Sequence, residues 1–177
     1  MEGTIHLEVV TPDGLKLAED VSEFTAPSVD GEFGVLPGHV PLLAALTTGI
    51  VTYVLAGEKH AVAVGAGFAE LSDDKAVLIT DRFIKKADID PVIVRLALKE
   101  ADEALDKFEG DFQGPEYGEL VARELWAATE LELYGDPPPP RIRTMSELSF
   151  GLRENYSELG AKPEEAEAEV APDQAAH

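Results

Sequence analysis

Residues 31–43 constrain the fold more than any other stretch of this 177-residue chain. Gly31 and Gly34 are followed by a Leu-Pro-Gly-His-Val-Pro segment that contains Pro37 and Pro41. Glycine accepts a positive φ, whereas each proline fixes φ and removes a hydrogen-bond donor. The stretch is therefore expected to be neither a helix nor a regular strand, but a bend between two apolar runs.

The residues around this bend predict short strands. Ile5, Leu7 and Val9 share one face of residues 4–10 and polar side chains share the other, which is typical of a half-buried strand. Similar segments follow at even spacing, each with a turn signal: 15–17, 21–26, 49–55, 59–64, 68–71 and 75–80. This pattern predicts an antiparallel β-sandwich or barrel. We expect a sandwich domain over residues 1–87.

Residues 40–57 carry no charge, and an apolar run of about 18–20 residues could cross a bilayer as a helix. Pro41, Gly49 and several threonines lie inside the run, however, and β-branched residues fill its second half. Two buried strands joined at residues 47–49 are expected instead.

The hydrophobic period changes after residue 88. Asp90 and Pro91 predict a helix start, because aspartate accepts hydrogen bonds from free amides and proline suits the first helical position. Apolar residues then recur at helical spacing in two segments: Ile93, Ala97, Ala101, Ala104, Leu105 and Phe108, then Tyr117, Val121, Leu125, Ala128 and Leu131. The short connection between them predicts an antiparallel two-helix hairpin over residues 88–135. Trp126 is assigned to packing.

Residues 136–177 contain four consecutive prolines at 137–140 and, from Gly160 onward, consist mainly of Ala, Glu and Pro, which predicts a stiff spacer and a disordered acidic tail. Residues 145–159 could form a short amphipathic helix. The net charge of −21 excludes nucleic acid and anionic lipid as expected partners and favours proteins. The absence of cysteine excludes disulfides and thiolate metal sites, and the histidines show no ligand spacing, so no metal is expected. No secretory signal is visible.

Three segments, residues 4–10, 31–43 and 65–69, resemble the epsilon subunit of F-type ATP synthases, and the likeness extends over about residues 4–134. The resemblance implies a non-catalytic rotor subunit of the central stalk in a proton-translocating enzyme. Its expected partners are the gamma subunit and the c ring. In several members the hairpin can also extend to the alpha/beta catalytic head and block ATP hydrolysis. It further implies a peripheral position on the cytoplasmic face of a bacterial inner membrane, with membrane contact only through the complex.

The resemblance places an interface with gamma or the c ring at Glu32, Phe33, Pro37, His39 and Pro41. For Glu32 the competing interpretation is a solvated turn carboxylate, whose exposed ion pairs contribute only about 0–1 kcal/mol. For His39 a structural role in the turn between the two prolines is favoured.

Asp90 and Arg95 are the candidates for nucleotide binding. Residues 89–90 match the start of the Ile-Asp-x-x-Arg-Ala motif with which some family members bind ATP, but Ile93 stands at the arginine position. Five helical positions leave two side chains about 140° apart, against about 60° for three. Asp90 and Arg95 should therefore be unable to contact the same ligand. An N-cap role for Asp90 is favoured, and neither a cofactor nor regulatory ATP is expected.

The second helix is acidic, with five glutamates against the single cation Arg123. Inhibition in the family depends on basic residues of this arm, so here we expect it to be weak or delegated to the extension after the prolines. The alternative function is an acidic β-sandwich adaptor that binds another protein through its helical arm. An enzyme is not expected, because no nucleophile with a neighbouring base, phosphate-binding glycine loop or ligand cluster is present.

Overall fold

The computed structural model describes residues 3–138, which belong to a compact unit spanning Met1–Pro139. The acidic tail and the amphipathic segment at 145–159 lie outside the described residues. Strands come first and helices second: β1 (Ile5–Thr11), β2 (Gly14–Val21), β3 (Glu23–Ser28), β4 (Gly31–Val35), β5 (Leu42–Leu46), β6 (Gly49–Leu55), β7 (Glu58–Val64), β8 (Gly67–Ser72), β9 (Lys75–Thr80), β10 (Phe83–Lys85), a 3₁₀ turn at Lys86–Asp88, α1 (Pro91–Asp106) and α2 (Pro115–Tyr134).

The strands form one hydrogen-bonded path that divides into two layers. The order is β10-β7-β6-β3-β5-β8-β9-β1-β2, with β4 paired to β3. The paired strands β3 and β5 are joined only at Ser28 and Leu46, so the first layer is β10-β7-β6-β3-β4 and the second is β5-β8-β9-β1-β2. Inward side chains of both layers form one core that includes Leu7, Phe24 and Leu78. The β-sandwich prediction is confirmed.

One strand pair departs from the antiparallel prediction. β1 runs parallel to β9, from the His6–Lys75 pair to the Val10–Ile79 pair, while it is antiparallel to β2. The hairpin with β2 occupies one edge of β1, so its other edge is free to pair with a strand that arrives much later in the chain. Alternation along a strand does not encode the direction of its neighbour.

The bend predicted over residues 31–43 is shorter than expected. Gly31–Val35 forms β4, a regular strand paired with β3, and Leu42 and Leu43 begin β5, so the expectation of an irregular stretch is wrong for its first five and last two residues. No proline interrupts these five residues, and Phe33 packs against the core beside Phe24. Gly31 serves the turn instead, since it has φ +112° and follows the hairpin turn.

Asp90 caps α1 as predicted, since its Oδ1 accepts hydrogen bonds from the amides of Val92 (2.9 Å) and Ile93 (3.4 Å). The predicted buried stripes are partly wrong. Ile93 is 64% exposed and Val94 is buried in its place, and Leu125 is 42% exposed while Ala127 is buried.

The reason is that α2 has two partners, α1 and the outer face of the first layer at β6 and β7. A stripe drawn for one partner therefore misplaces the buried face of α2, which lies at Ala127 rather than Leu125, two residues or about 200° along the helix. A second core lies between the helices and this face, formed by Ala63, Ile89, Val94, Ala127, Leu131 and Leu133.

The far end of α2 is tied to the start of α1. The Gly135 amide, at φ +101°, donates to the carbonyls of Leu131 and Glu132 and ends the helix. Arg95 Nε donates to Asp136 Oδ2 at 2.9 Å, which places the α1 start beside the α2 end and confirms the antiparallel hairpin. The division of domains at residues 87 and 135 stays a prediction. None of the described helices is long and apolar enough to cross a membrane.

Candidate partner-binding surface

The turn at residues 36–41 is held by its own hydrogen bonds. The His39 amide donates to the Leu36 carbonyl at 3.1 Å, and His39 Nδ1 donates to the Val40 carbonyl at 2.7 Å. Gly38, at φ +78°, donates its amide to Asp74 Oδ1 at 2.6 Å, which fixes the turn to the β8–β9 hairpin. The imidazole of His39 therefore has the structural role favoured from sequence. A contact with gamma or the c ring remains a prediction.

This turn displays apolar side chains to solvent. Leu36, Val40, Pro41 and Leu43 are exposed, Leu43 at 74%. Pro37 is half-buried, with its ring against Gly3. Because local hydrogen bonds and two prolines already fix the backbone, the turn can present these side chains without further ordering on binding.

Glu32 and Phe33 lie in β4 and differ in environment. Glu32 is exposed, opposite Pro27 in the β3–β4 hairpin. The Phe33 ring is half-buried and packs edge-on against Phe24, with centroids 6.4 Å apart. Glu32 is thus accessible to a partner, while most of Phe33 serves the core.

The sequence prediction missed a third surface, on the outer face of the second layer. Strand register aligns one residue from each of five neighbouring strands on this face. We call these residues the outer apolar row: Leu15, Val10, Ile79, Phe68 and Ala45. Phe68 is 60% exposed and Ile79 is 54% exposed. The opposite outer face of the sandwich, by contrast, is covered by α2.

The outer apolar row continues into the turn. The next row across the same strands is Ala18, Glu8, Val77, Glu70 and Leu43. A shallow depression lined by Pro41, Leu42, Leu43, Glu70, Leu71 and Ser72 then links Leu43 to the turn. The turn and the outer face are therefore one continuous surface, apolar at Leu43 and Val77 and interrupted by the carboxylates of Glu8 and Glu70.

The end of this face next to the turn is polar, since the row beyond Glu8 contains Lys75, His6 and Asp20. His6 Nδ1 donates to Asp20 Oδ1 at 2.8 Å and its Nε2 lies 3.1 Å from Glu8 Oε1, to which Lys75 Nζ also lies at 3.1 Å. The hydrogen bond to Asp20, reinforced by Glu8, raises the pKa of His6, and Lys75 lowers the pKa of Glu8. This network bounds the apolar surface with paired charges.

Sequence reasoning could have found part of the outer apolar row. Val10, Phe68 and Ile79 are apolar residues at outward positions of strands whose inward positions are already apolar. Their adjacency could not be found, because it depends on the β1–β9 register.

The nucleotide-binding candidates are engaged in other contacts. The Asp90 carboxylate caps α1, and the Arg95 guanidinium is paired with Asp136. Among residues 3–138 no group of three or more His, Asp or Glu side chains could hold a metal ion.

A β-sandwich with one face covered by a helical hairpin and the other apolar and open defines a docking subunit. Residues 4–86 match the family model described as ATP synthase, Delta/Epsilon chain, beta-sandwich domain. The ATP synthase epsilon chain of Nitratidesulfovibrio vulgaris (strain DP4) is 45% identical over 105 residues, which are 59% of this chain and 78% of that one. That of Lawsonia intracellularis is 38% identical over 111 residues, 63% of this chain and 84% of that one. This chain belongs to the ATP synthase epsilon chain family.

Solved structures support the fold. One similar chain is in the cryo-EM structure of the Euglena gracilis mitochondrial ATP synthase, OSCP/F1/c-ring, with TM-score 0.56, 24% identity and coverage of 77% of this chain and 80% of that one. Another is in the Tetrahymena thermophila mitochondrial ATP synthase central stalk/c-ring, with TM-score 0.51, 14% identity and coverage of 75% and 98%.

Proposed function

We propose that this chain is the rotor subunit of the central stalk of a proton-translocating F-type ATP synthase, joining gamma to the c ring without an active site of its own. Family membership and the likeness to chains in stalk and c-ring assemblies support this role. The single observation that carries it is the outer apolar row, since a soluble monomer rarely exposes contiguous apolar side chains on a flat face without a partner.

The outer apolar row is the proposed contact with gamma. It lies on an ordered sheet, so binding would cost little backbone entropy. The c ring is the proposed partner of the turn at residues 36–41 and of Glu32, whose carboxylate suits basic groups in polar loops of the ring. With these contacts the subunit sits on the cytoplasmic face of a bacterial inner membrane as a peripheral component.

The test is binding to purified gamma. Replacing Phe68 and Ile79 together by serine removes two large exposed side chains that are cross-strand neighbours in the outer apolar row. Full burial of such a side chain contributes about 1.5–3 kcal/mol, and just over half of each is still exposed, so the dissociation constant should rise by roughly 20- to 300-fold. Val92→Ser, an exposed position on α1, is the matched control and should bind normally. Unchanged affinity of the double variant, with an intact far-UV circular dichroism spectrum, would refute the proposed contact.

The adaptor alternative is not favoured. It requires a free apolar stripe on the helical arm: Ala127 and Leu131 of α2 are already buried against the sheet and α1, and only Val92, Ile93 and Leu96 at the start of α1 offer a short exposed one. The relatives that share this sandwich are ATP synthase epsilon chains, which favours the stalk subunit.

We further propose that ATP is not a ligand of Asp90 and Arg95. The N-cap bonds and the Arg95–Asp136 pair would both have to break before the two side chains could bind phosphate. Calorimetric titration with ATP should show no binding; micromolar affinity lost in Arg95→Ala would contradict this.

Regulation through the alpha/beta head is proposed to be weak or to reside after Gly135. Truncation after this residue should raise the ATPase activity of the assembled enzyme. An unchanged rate would count against the delegated form of the proposal.

A further inference from the structure

The tip of the helical hairpin carries a cluster of three aromatic rings. Phe108 and Phe112 come from the loop that connects the two helices, and Tyr117 comes from the first turn of α2. Their ring centroids are 5.4 Å (108–117), 5.5 Å (108–112) and 5.2 Å (112–117) apart, so every ring contacts the other two. Phe112 nevertheless remains 60% exposed. We call these three residues the aromatic tip.

The aromatic tip is not part of either core. The α2 residues that pack in the second core begin at Trp126, and eleven helical residues separate Trp126 from the start of the helix. At 1.5 Å per residue the aromatic tip therefore lies about 16 Å beyond the sheet contact. The ring cluster rigidifies the loop, but an exposed Phe112 ring is not needed for the hairpin to dock on the sandwich.

The segment that carries the aromatic tip is rich in carboxylates. Residues 106–119 contain five acidic side chains against one lysine: Asp106, Glu109, Asp111, Glu116 and Glu119. The lysine, Lys107, is already 3.8 Å from Glu103. Asp111 Oδ1 accepts the Gln113 amide at 2.9 Å, which fixes the loop that carries Phe112. An apolar, electron-rich ring face in a negative field is complementary to a cationic surface.

We infer that the aromatic tip docks on a basic protein segment, one that presents arginine or lysine side chains from a neighbouring subunit of the assembly. Guanidinium and ammonium groups bind over aromatic faces and pair with the carboxylates of this segment. The same carboxylates exclude acidic surfaces. The identity of the neighbour as an assembly subunit rests on the proposed function, whereas the basic chemistry rests on the aromatic tip alone.

The chemistry is tested on the isolated full-length chain. Titration with a short helical peptide rich in arginine and lysine, followed by NMR, should shift the ring resonances of Phe112 and Tyr117 first. A glutamate-rich peptide of the same length should shift neither. Phe112→Ser should weaken binding about tenfold, and Glu109→Gln with Glu116→Gln about three- to tenfold. Equal shifts with both peptides, or none with the basic one, would overturn the inference.

The location is tested in the assembled enzyme. A photoreactive benzoylphenylalanine at position 112 should cross-link to a peptide of net positive charge, with a yield that falls as salt rises. The same probe at Leu125, exposed on α2 but outside the aromatic tip, should not reach that peptide. Cross-links from position 112 to an acidic or neutral segment would refute docking on a basic neighbour. A chain that fails to assemble with gamma would refute the proposed function instead, and the peptide titration would still decide the chemistry.

Discussion

Leu131→Ala should detach the helical hairpin from the sandwich while leaving the sandwich core intact. Leu131 is 2% exposed and belongs to the second core, which contains none of the residues of the sandwich core. Truncating a buried leucine to alanine costs about 2–5 kcal/mol, with smaller values where neighbours can close the cavity. The second core is small and rimmed by partly buried side chains, so we expect about 3 kcal/mol.

Helix propensity does not disturb this estimate, because leucine and alanine are both strong helix formers. Leu125→Ala makes the same chemical change on the same helix at a position 42% exposed. It removes a half-solvated side chain and should cost under about 1 kcal/mol. The pair of variants therefore isolates burial from every other consequence of replacing leucine.

The single tryptophan of the chain reports docking directly. Trp126 lies with its ring 5.7 Å from the Arg82 guanidinium of the sandwich, so undocking changes its fluorescence. With an m-value of about 2 kcal/mol/M in urea, the Leu131→Ala fluorescence midpoint should fall by about 1.5 M, and the far-UV circular dichroism of the strands should persist to higher urea. Equal midpoint shifts for the two variants, or simultaneous loss of strands and docking, would refute the reasoning.

Three further predictions concern charge and glycine. The pKa of His6 is raised in the folded protein. The stabilisation from this histidine is therefore complete at pH values below its unfolded pKa and is lost as pH rises through its folded pKa. An NMR titration of Asp20→Asn should show a lower His6 pKa than that of the unmodified chain. Burial raises the pKa of Glu130, so docking of the hairpin on the sandwich should weaken as pH rises above the usual carboxyl range. Trp126 fluorescence should follow this pH dependence, and Glu130→Gln should remove it. Gly67→Ala, whose Cβ would lie 1.9 Å from a backbone oxygen, should cost about 3 kcal/mol in a urea melt, whereas Gly118→Ala in α2, with open space around it, should stabilise by about 0.5–1 kcal/mol.

The sequence predicted those features that depend on neighbours in the chain. The strand alternation of residues 5–9, the cap at Asp90 and the helix stop at Gly135 are all local, since each is decided within a few residues. The structural role of His39 was also within reach, because its partners are the adjacent residues of the turn.

Features that depend on distant neighbours were not predictable. The parallel pairing of β1 with β9 joins residues about seventy positions apart, and only this register brings Val10 beside Ile79. The rotation of α2 was misjudged for the same reason, because its face is divided between α1 and the sheet. The aromatic tip could have been seen as three rings in ten residues, but their mutual contact required the loop geometry fixed by Asp111.

The parallel pairing of β1 with β9 has a consequence for the order in which this sandwich can assemble on the ribosome. β1 is synthesised first and can close a hairpin with β2 at once, yet its other edge stays unsatisfied until Thr80 has emerged. An open strand edge invites pairing with other chains, and contacts between such distant residues form slowly. Nascent chains stalled shortly before residue 75 should therefore aggregate, while those stalled beyond the end of β9, once the tunnel is cleared, should remain soluble.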